Sequence, residues 1–150
     1  MIGLIQRVSE AQVKIEGETV ASINSGLLIL LGITHDDTIE DIEWLCQKIV
    51  NLRIFDDENG VMNKSCLDLD YDIITVSQFT LHARTKKGNR PSYIEAANPV
   101  IAMPLYDLFI REIDKLTNKK TQSGKFGANM QIQLINDGPV TIIIDSKNKF

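Results

Sequence analysis

Two short stretches carry residue types able to do chemistry. "SQFT", residues 77–80, closes an apolar run with two hydroxyls, an amide and an aromatic ring. Backbone N–H groups at such a strand end can donate to a developing oxyanion, each contributing about 10²–10³ in rate. Thr80 offers a hydroxyl as a nucleophile, but no residue near it in sequence supplies a base to take its proton. A polar cap on a buried strand explains the same four residues. "NDGPVT", residues 136–141, lies between the apolar runs "MQIQLI" and "VTIIID". Asp137-Gly138 is a strong hairpin signal, because both residue types tolerate positive φ. Pro139 follows directly, where a returning strand would need a backbone donor that proline lacks. Either this is an ordinary edge-strand turn, or the turn aims backbone carbonyls at a ligand.

Other reactive side chains are scattered. His35 sits just after a strand, where a surface role is usual. His82, after the polar strand end, is a candidate general base that stands without an identifiable carboxylate partner, so a non-catalytic role competes there. Asp56, Asp57 and Glu58 are adjacent acids that fit a solvated turn better than a cation loop, since no ligand spacing follows. Cys46 and Cys66 form no CxxC and have no His at metal-ligand spacing, which predicts free thiols. No metal site and no cofactor is expected. "ARTKKGNRP" gathers Arg84, Lys86, Lys87 and Arg90 between turn residues, either as a solvated loop or as a phosphate contact. The formal net charge of −4 argues against a general nucleic-acid binder, although the field that matters is local.

The elements that must position these residues are legible as periods. At 150 residues and 43% hydrophobic content, one domain with a real core is expected, spanning 1–150. No apolar run approaches the roughly 20 residues of a membrane helix. "MIGLIQRV" reads as a strand rather than a signal peptide, and a cytoplasmic location is expected. "IGLIQRVS" predicts a strand, and "AQVKIEGETVASI" a hairpin about Gly17. "GLLILLGI" predicts a central strand buried on both faces. Ile42, Leu45, Cys46 and Ile49 recur at helical spacing, with acids at the start. "LRIF" is a candidate short strand, "DDENGVMNKS" is turn-rich, and "YDIITVSQFTL" predicts another strong strand. Leu105, Leu108, Phe109, Ile113 and Leu116 mark a second helix, expected to start near Pro104. "GKFGANM" predicts a loop, and "MQIQLI" with "PVTIIID" a closing hairpin. This order of elements is α+β rather than a βαβ alternation.

Taken together, "VSQFTL", "RTKKGNRP", "GKFGANM" and "NDGPVT" resemble the D-aminoacyl-tRNA deacylases, the chiral proofreading enzymes of translation. The likeness runs nearly end to end, through "QRVS", "GLLILLGI", "NLRIF" and "MNKS". The family's SQFTL is Ser77, Gln78, Phe79, Thr80 and Leu81, and its NxGPxT is Asn136, Gly138, Pro139 and Thr141. His82, Ala83 and Asn89 depart from the family pattern and touch only loop contacts. The resemblance implies a mixed or antiparallel barrel-like sheet with two main helices packed on it. It implies a homodimer whose cis Gly138–Pro139 loop enters the partner's active site, held by Arg7. The carbonyls of Gly138 and Pro139 would then accept bonds from the substrate's α-ammonium group. Ser77 and Gln78 would position the substrate end, and the Phe79 and Thr80 amides would bind the oxyanion. Phe126 and Met130 either wall the site of the 3′-terminal adenosine or pack in the core. The implied reaction is hydrolysis of D-aminoacyl-tRNA, with some activity on glycyl-tRNA. Rival readings are a non-catalytic dimeric RNA-binding module and an editing deacylase for a wrong L-amino acid or glycine.

Overall fold

A run without a polar residue from Gly26 to Ile33 is satisfied only between two apolar layers, and the computed structural model has it there. The structure describes residues 1–149, so Phe150 of the expected domain lies outside them. Strands β1 (Ile2–Ile15), β2 (Glu18–Ile23) and β3 (Gly26–Gly32) are followed by helix α1 (Ile39–Val50). A ribbon of β4 (Phe55–Asp56) and β5 (Met62–Lys64) precedes β6 (Asp72–Ser77) and a 3-10 turn, Phe79–His82. Helix α2 (Pro99–Thr117), β7 (Gln122–Ser123) and β8 (Gln131–Asp145) complete the chain.

The main sheet runs β2-β1-β3-β6-β7, with β8 added along β1. β1 is antiparallel to β2, β3 and β8, whereas β3–β6 and β6–β7 are parallel. The two ends of the path, β2 and β7, touch each other, so the mixed sheet curls into a nearly closed barrel. The result is one α+β domain with two helices on a barrel-like sheet. Alternate residues of β3 serve the two layers. Leu27, Ile29 and Leu31 pack with Ile42, Leu45 and Ile49 of α1 and with Phe109 and Ile113 of α2. Leu28 points the other way, into a cluster with Val8, Val13, Ala21, Ile74 and Val76. Each fully buried side chain of this size contributes about 1.5–3 kcal/mol. No helix among the described residues is long and apolar enough to cross a membrane.

Four expectations shift. Helix α2 starts at Pro99 rather than near Pro104, because the Asn98 side chain accepts from the Ile101 N–H at 3.2 Å and Pro99 takes a first-turn position. Pro104 is tolerated inside because the carbonyl it fails to bond belongs to Val100, an exposed first-turn residue. "LRIF" contributes only Phe55 to a strand, and the turn-rich segment after it carries β5. β6 ends at Ser77, so Phe79 and Thr80 lie in the 3-10 turn rather than on a strand. The closing hairpin does not form. Residues 131–145 run as one strand along β1, with Gln131 opposite Lys14 and Asp145 opposite Ile2. β1 is itself an unbroken strand of 14 residues, and its long edge is paired by a chain that keeps going rather than one that turns back.

Candidate active site

Parallel pairing of β3 with β6 puts Leu31 opposite Ser77, so the two strands end together. The Gln78 N–H donates to the Leu31 carbonyl at 2.7 Å before the chain swings into the 3-10 turn. The first N–H groups of a helical turn, here those of Phe79 and Thr80, have no acceptor within it. Gln78 Nε2 donates to Thr80 Oγ1 at 2.5 Å, which fixes both side chains. A cleft of about 570 Å³ opens beside this turn. Ser77, Gln78 and Phe79 line it with Leu31 and Ile33, the Ala96–Ala97 approach to α2, and Phe126, Met130 and Ile132. A mostly apolar cleft with a few polar groups suits a small organic moiety.

The structure thus brings Ser77, Gln78 and Phe79 together with Phe126 and Met130, from opposite ends of the sequence. Thr80 is half-buried and is not among the lining residues. Tyr93, which sequence reasoning missed, lines the cleft and meets Phe79 edge-to-face at 5.1 Å. Its only sequence signal was an aromatic ahead of small residues and a helix start. Phe126 packs on Tyr106 at 5.8 Å, and the Tyr106 hydroxyl donates to the Thr75 carbonyl at 2.7 Å behind the cleft. A Cβ on Gly124 would collide with Met130 Sδ, so a glycine there leaves room for the methionine.

Residues of the second motif lie apart from this cleft within the same chain. Asn136 pairs with Val8 and Thr141 with Gln6, so residues 137–140 stand opposite Arg7 alone and leave the ladder as a bulge. Pro139 therefore needs no ladder donor, which removes the objection its missing N–H raised. Asn136 Nδ2 closes the base of the bulge by donating to the carbonyls of Arg7 (3.1 Å) and Val140 (3.0 Å). Thr141 Oγ1 donates to Asn136 Oδ1 at 3.4 Å and accepts from Gln6 Nε2 at 3.3 Å. Gly138 has φ +118°, and a Cβ there would lie 2.9 Å from Arg7 Nη2, so both backbone and space require glycine. The Gly138–Pro139 peptide bond is cis, and both residues are exposed. Arg7, itself buried, donates through Nε to the Asp137 carbonyl at 3.2 Å.

The basic loop stands clear of the cleft. Arg84 is paired with Glu95 at 2.6 Å, while Lys86, Lys87 and Arg90 are exposed and make no ion pair among the described residues. His82 is buried against Gly32, outside the cleft, with Nε2 lacking a hydrogen-bond partner. Asp57 caps a turn, where the N–H groups of Asn59 and Val61 hold its carboxyl below the usual range. Cys46 and Cys66 are free and buried, and burial pushes the Cys66 thiol up to about 12.

Comparison with known proteins places this arrangement. The D-Tyr-tRNA(Tyr) deacylase family matches residues 4–145. A D-aminoacyl-tRNA deacylase of Bacteroides fragilis is 59% identical over 146 residues, covering 97% of each chain. One from Flavobacterium psychrophilum is 61% identical over 146 residues with the same coverage. Among solved structures, a c-Myc DNA unwinding element binding protein superposes with TM-score 0.91 at 40% identity, covering 97% of this chain and 98% of its own. A probable eukaryotic D-amino acid tRNA deacylase superposes with TM-score 0.83, covering 95% and 97%, and at 15% identity shares the fold.

Proposed function

The chain belongs to the D-Tyr-tRNA(Tyr) deacylase family, whose members hydrolyse D-aminoacyl-tRNA, and from that premise we propose how its two motifs divide the work. The cleft beside Ser77–Thr80 receives the 3′-terminal aminoacyl-adenosine, with Phe126 and Met130 walling the adenosine. Water adds to the ester carbonyl, and the resulting oxyanion is met by the Phe79 and Thr80 N–H groups. Collapse returns the electron pair to the ribose oxygen, which takes a proton and leaves as tRNA with a free D-amino acid. No side chain in the cleft is a convincing base, and the terminal ribose 2′-hydroxyl activates the water. Lys86, Lys87 and Arg90, with Arg84 if it leaves Glu95, contact tRNA phosphates.

Chirality is read by the Gly138–Pro139 loop of a second subunit. Its carbonyls accept from the α-ammonium group, so an L side chain is driven into backbone while a D side chain faces solvent. Glycine has no side chain to exclude, and some hydrolysis of glycyl-tRNA follows. The observation that carries this reading is the separation within one chain: the loop is exposed, away from its own cleft, and locked at its base. A second copy also answers a problem of the sheet. Among the described residues β8 has β1 as its only strand partner, leaving a 15-residue edge with exposed Ile135 and Ile143. Such an edge invites pairing with another chain. The test is paired deacylation of D-Tyr-tRNA and L-Tyr-tRNA by the purified protein. Loss of the D-ester alone is expected. Equal stability of both esters would leave a tRNA-binding module, and preferential loss of the L-ester would make this an L-editing enzyme.

A further inference from the structure

The Arg7 guanidinium is gripped from a third side that neither motif contains. Nη1 donates to the carbonyl of Ile54 at 2.6 Å and lies 3.7 Å from Asp56 Oδ1, both at the start of the β4–β5 ribbon. On the loop side, Nε lies 3.1 Å from Asp137 Oδ2, besides its bond to the Asp137 carbonyl. The Arg7 side chain is 9% exposed, whereas those of Asp56 and Asp137 are 56% and 54% exposed. Among the described residues these are its only two carboxylate partners.

We propose that Asp56 and Asp137 are positioning residues for chiral discrimination, acting together through Arg7 to fix the Gly138–Pro139 loop. The inference rests on the loop reading above and extends it to a ribbon some eighty residues away in sequence. The physical reason is an asymmetry of exposure. In the single chain both carboxylates are half-exposed and well screened, so losing one of the two weakens Arg7 only slightly. Losing both leaves a nearly buried guanidinium without a counter-charge, and it must move out toward water. Arg7 Nη2 sits against Gly138, so its departure frees the loop at the residue whose carbonyl reads the ammonium group. Asp56 therefore belongs to the machinery even though its stretch of sequence reads as a solvated turn and the structure places it at the end of the short strand β4.

The experiment compares D- over L-Tyr-tRNA hydrolysis rates for wild type, Asp56→Asn, Asp137→Asn, the double variant and Asp137→Glu, with Tm measured for each. Each single change is expected to lower the D/L ratio by no more than about threefold. The double change should lower it by about tenfold beyond the product of the singles, the size of coupling expected for groups sharing a partner. Asp137→Glu, which keeps the charge, should hold the ratio near wild type. A double variant with the wild-type ratio, or with effects that simply multiply, would overturn the proposal, as would a fall in Tm with the ratio unchanged. If wild type itself shows no preference for the D-ester, the loop reading fails and takes this one with it. Normal wild-type preference with an insensitive double variant sinks the clamp alone.

Discussion

At Thr80 two mechanisms for the same cleft make opposite predictions. Its hydroxyl accepts from Gln78 Nε2 and stands outside the lining of the cleft, whereas its N–H belongs to the first turn of the 3-10 segment. If the amide does the work, Thr80→Ala keeps it and loses one side-chain hydrogen bond. Turnover of D-Tyr-tRNA should then fall by no more than about tenfold. If the hydroxyl is the nucleophile, loss on the order of 10⁴ or more is expected, as for other nucleophile deletions. Single-turnover rates for the variant decide between them. The residue types at this scale were readable in the chain: "SQFT" announced hydroxyls and an amide at a strand end, and Asp137-Gly138 announced residues that tolerate positive φ, whereas the structure shows that of the two Gly138 alone adopts it. That Phe79 and Thr80 belong to a 3-10 turn was not readable, because β3 decides it. The Leu31 carbonyl is the last acceptor that the neighbouring strand offers β6.

Among the elements, helix α1 shows the agreement of local and tertiary signals. Its apolar spacing and acidic first turn predicted it, and Ile42, Leu45, Cys46 and Ile49 are all buried as that spacing requires. Asp41 adds a link that periodicity does not reveal, since Lys147, beyond β8, reaches its carboxylate at 2.8 Å. Burial opposes the charge on Asp41, but hydrogen bonds from Lys147, Ser146 and the Thr38 N–H outweigh it and hold the carboxyl well below 3.8. A depressed carboxyl stabilises the fold fully above its ordinary pKa, and the contribution is lost as pH falls through that value toward the folded one. Asp41→Asn should therefore lower Tm at neutral pH, and the gap to wild type should narrow once pH falls below about 3.8. A gap that stays constant through that window would show that the ionised carboxylate is not the source. Helix α2 taught the converse: two prolines in its first turns suggested a late start, and one asparagine cap was enough to start it early.

For the molecule as a whole, the reading of a cleft and a loop on different subunits makes a test that no single-chain arrangement would pass. A cleft-blocking Ala97→Trp variant and a loop-distorting Gly138→Val variant are each expected to lose selective D-ester hydrolysis. Refolded together at equal amounts, they form mixed dimers in which one site pairs an intact cleft with an intact loop. Random pairing around a two-fold axis predicts recovery of about a quarter of wild-type activity. No recovery, with mixed dimers present by mass, would place cleft and loop on one chain. The exposed edge of β8 is the surface expected to be covered in that assembly, so Ile135 and Ile143 should gain hydrogen-exchange protection at high protein concentration.

The chain alone determined what depends on near neighbours. The periods of β3, α1 and β6 follow from which side chains repeat, and the motif residues follow from what a turn or a strand end can chemically offer. Only the tertiary structure decided where "NDGPVT" goes. Read locally, Asp-Gly demands a hairpin; against a continuous β1, the same residues become a bulge in one long strand. The preference for a tight turn is worth little beside a ladder that pairs with β1 over nearly its whole length, and Arg7, Asn136 and Thr141 hold the four displaced residues in place. A long-range edge is invisible to any window of a few residues, and here it turned an ordinary turn signal into the exposed loop on which the proposed discrimination depends.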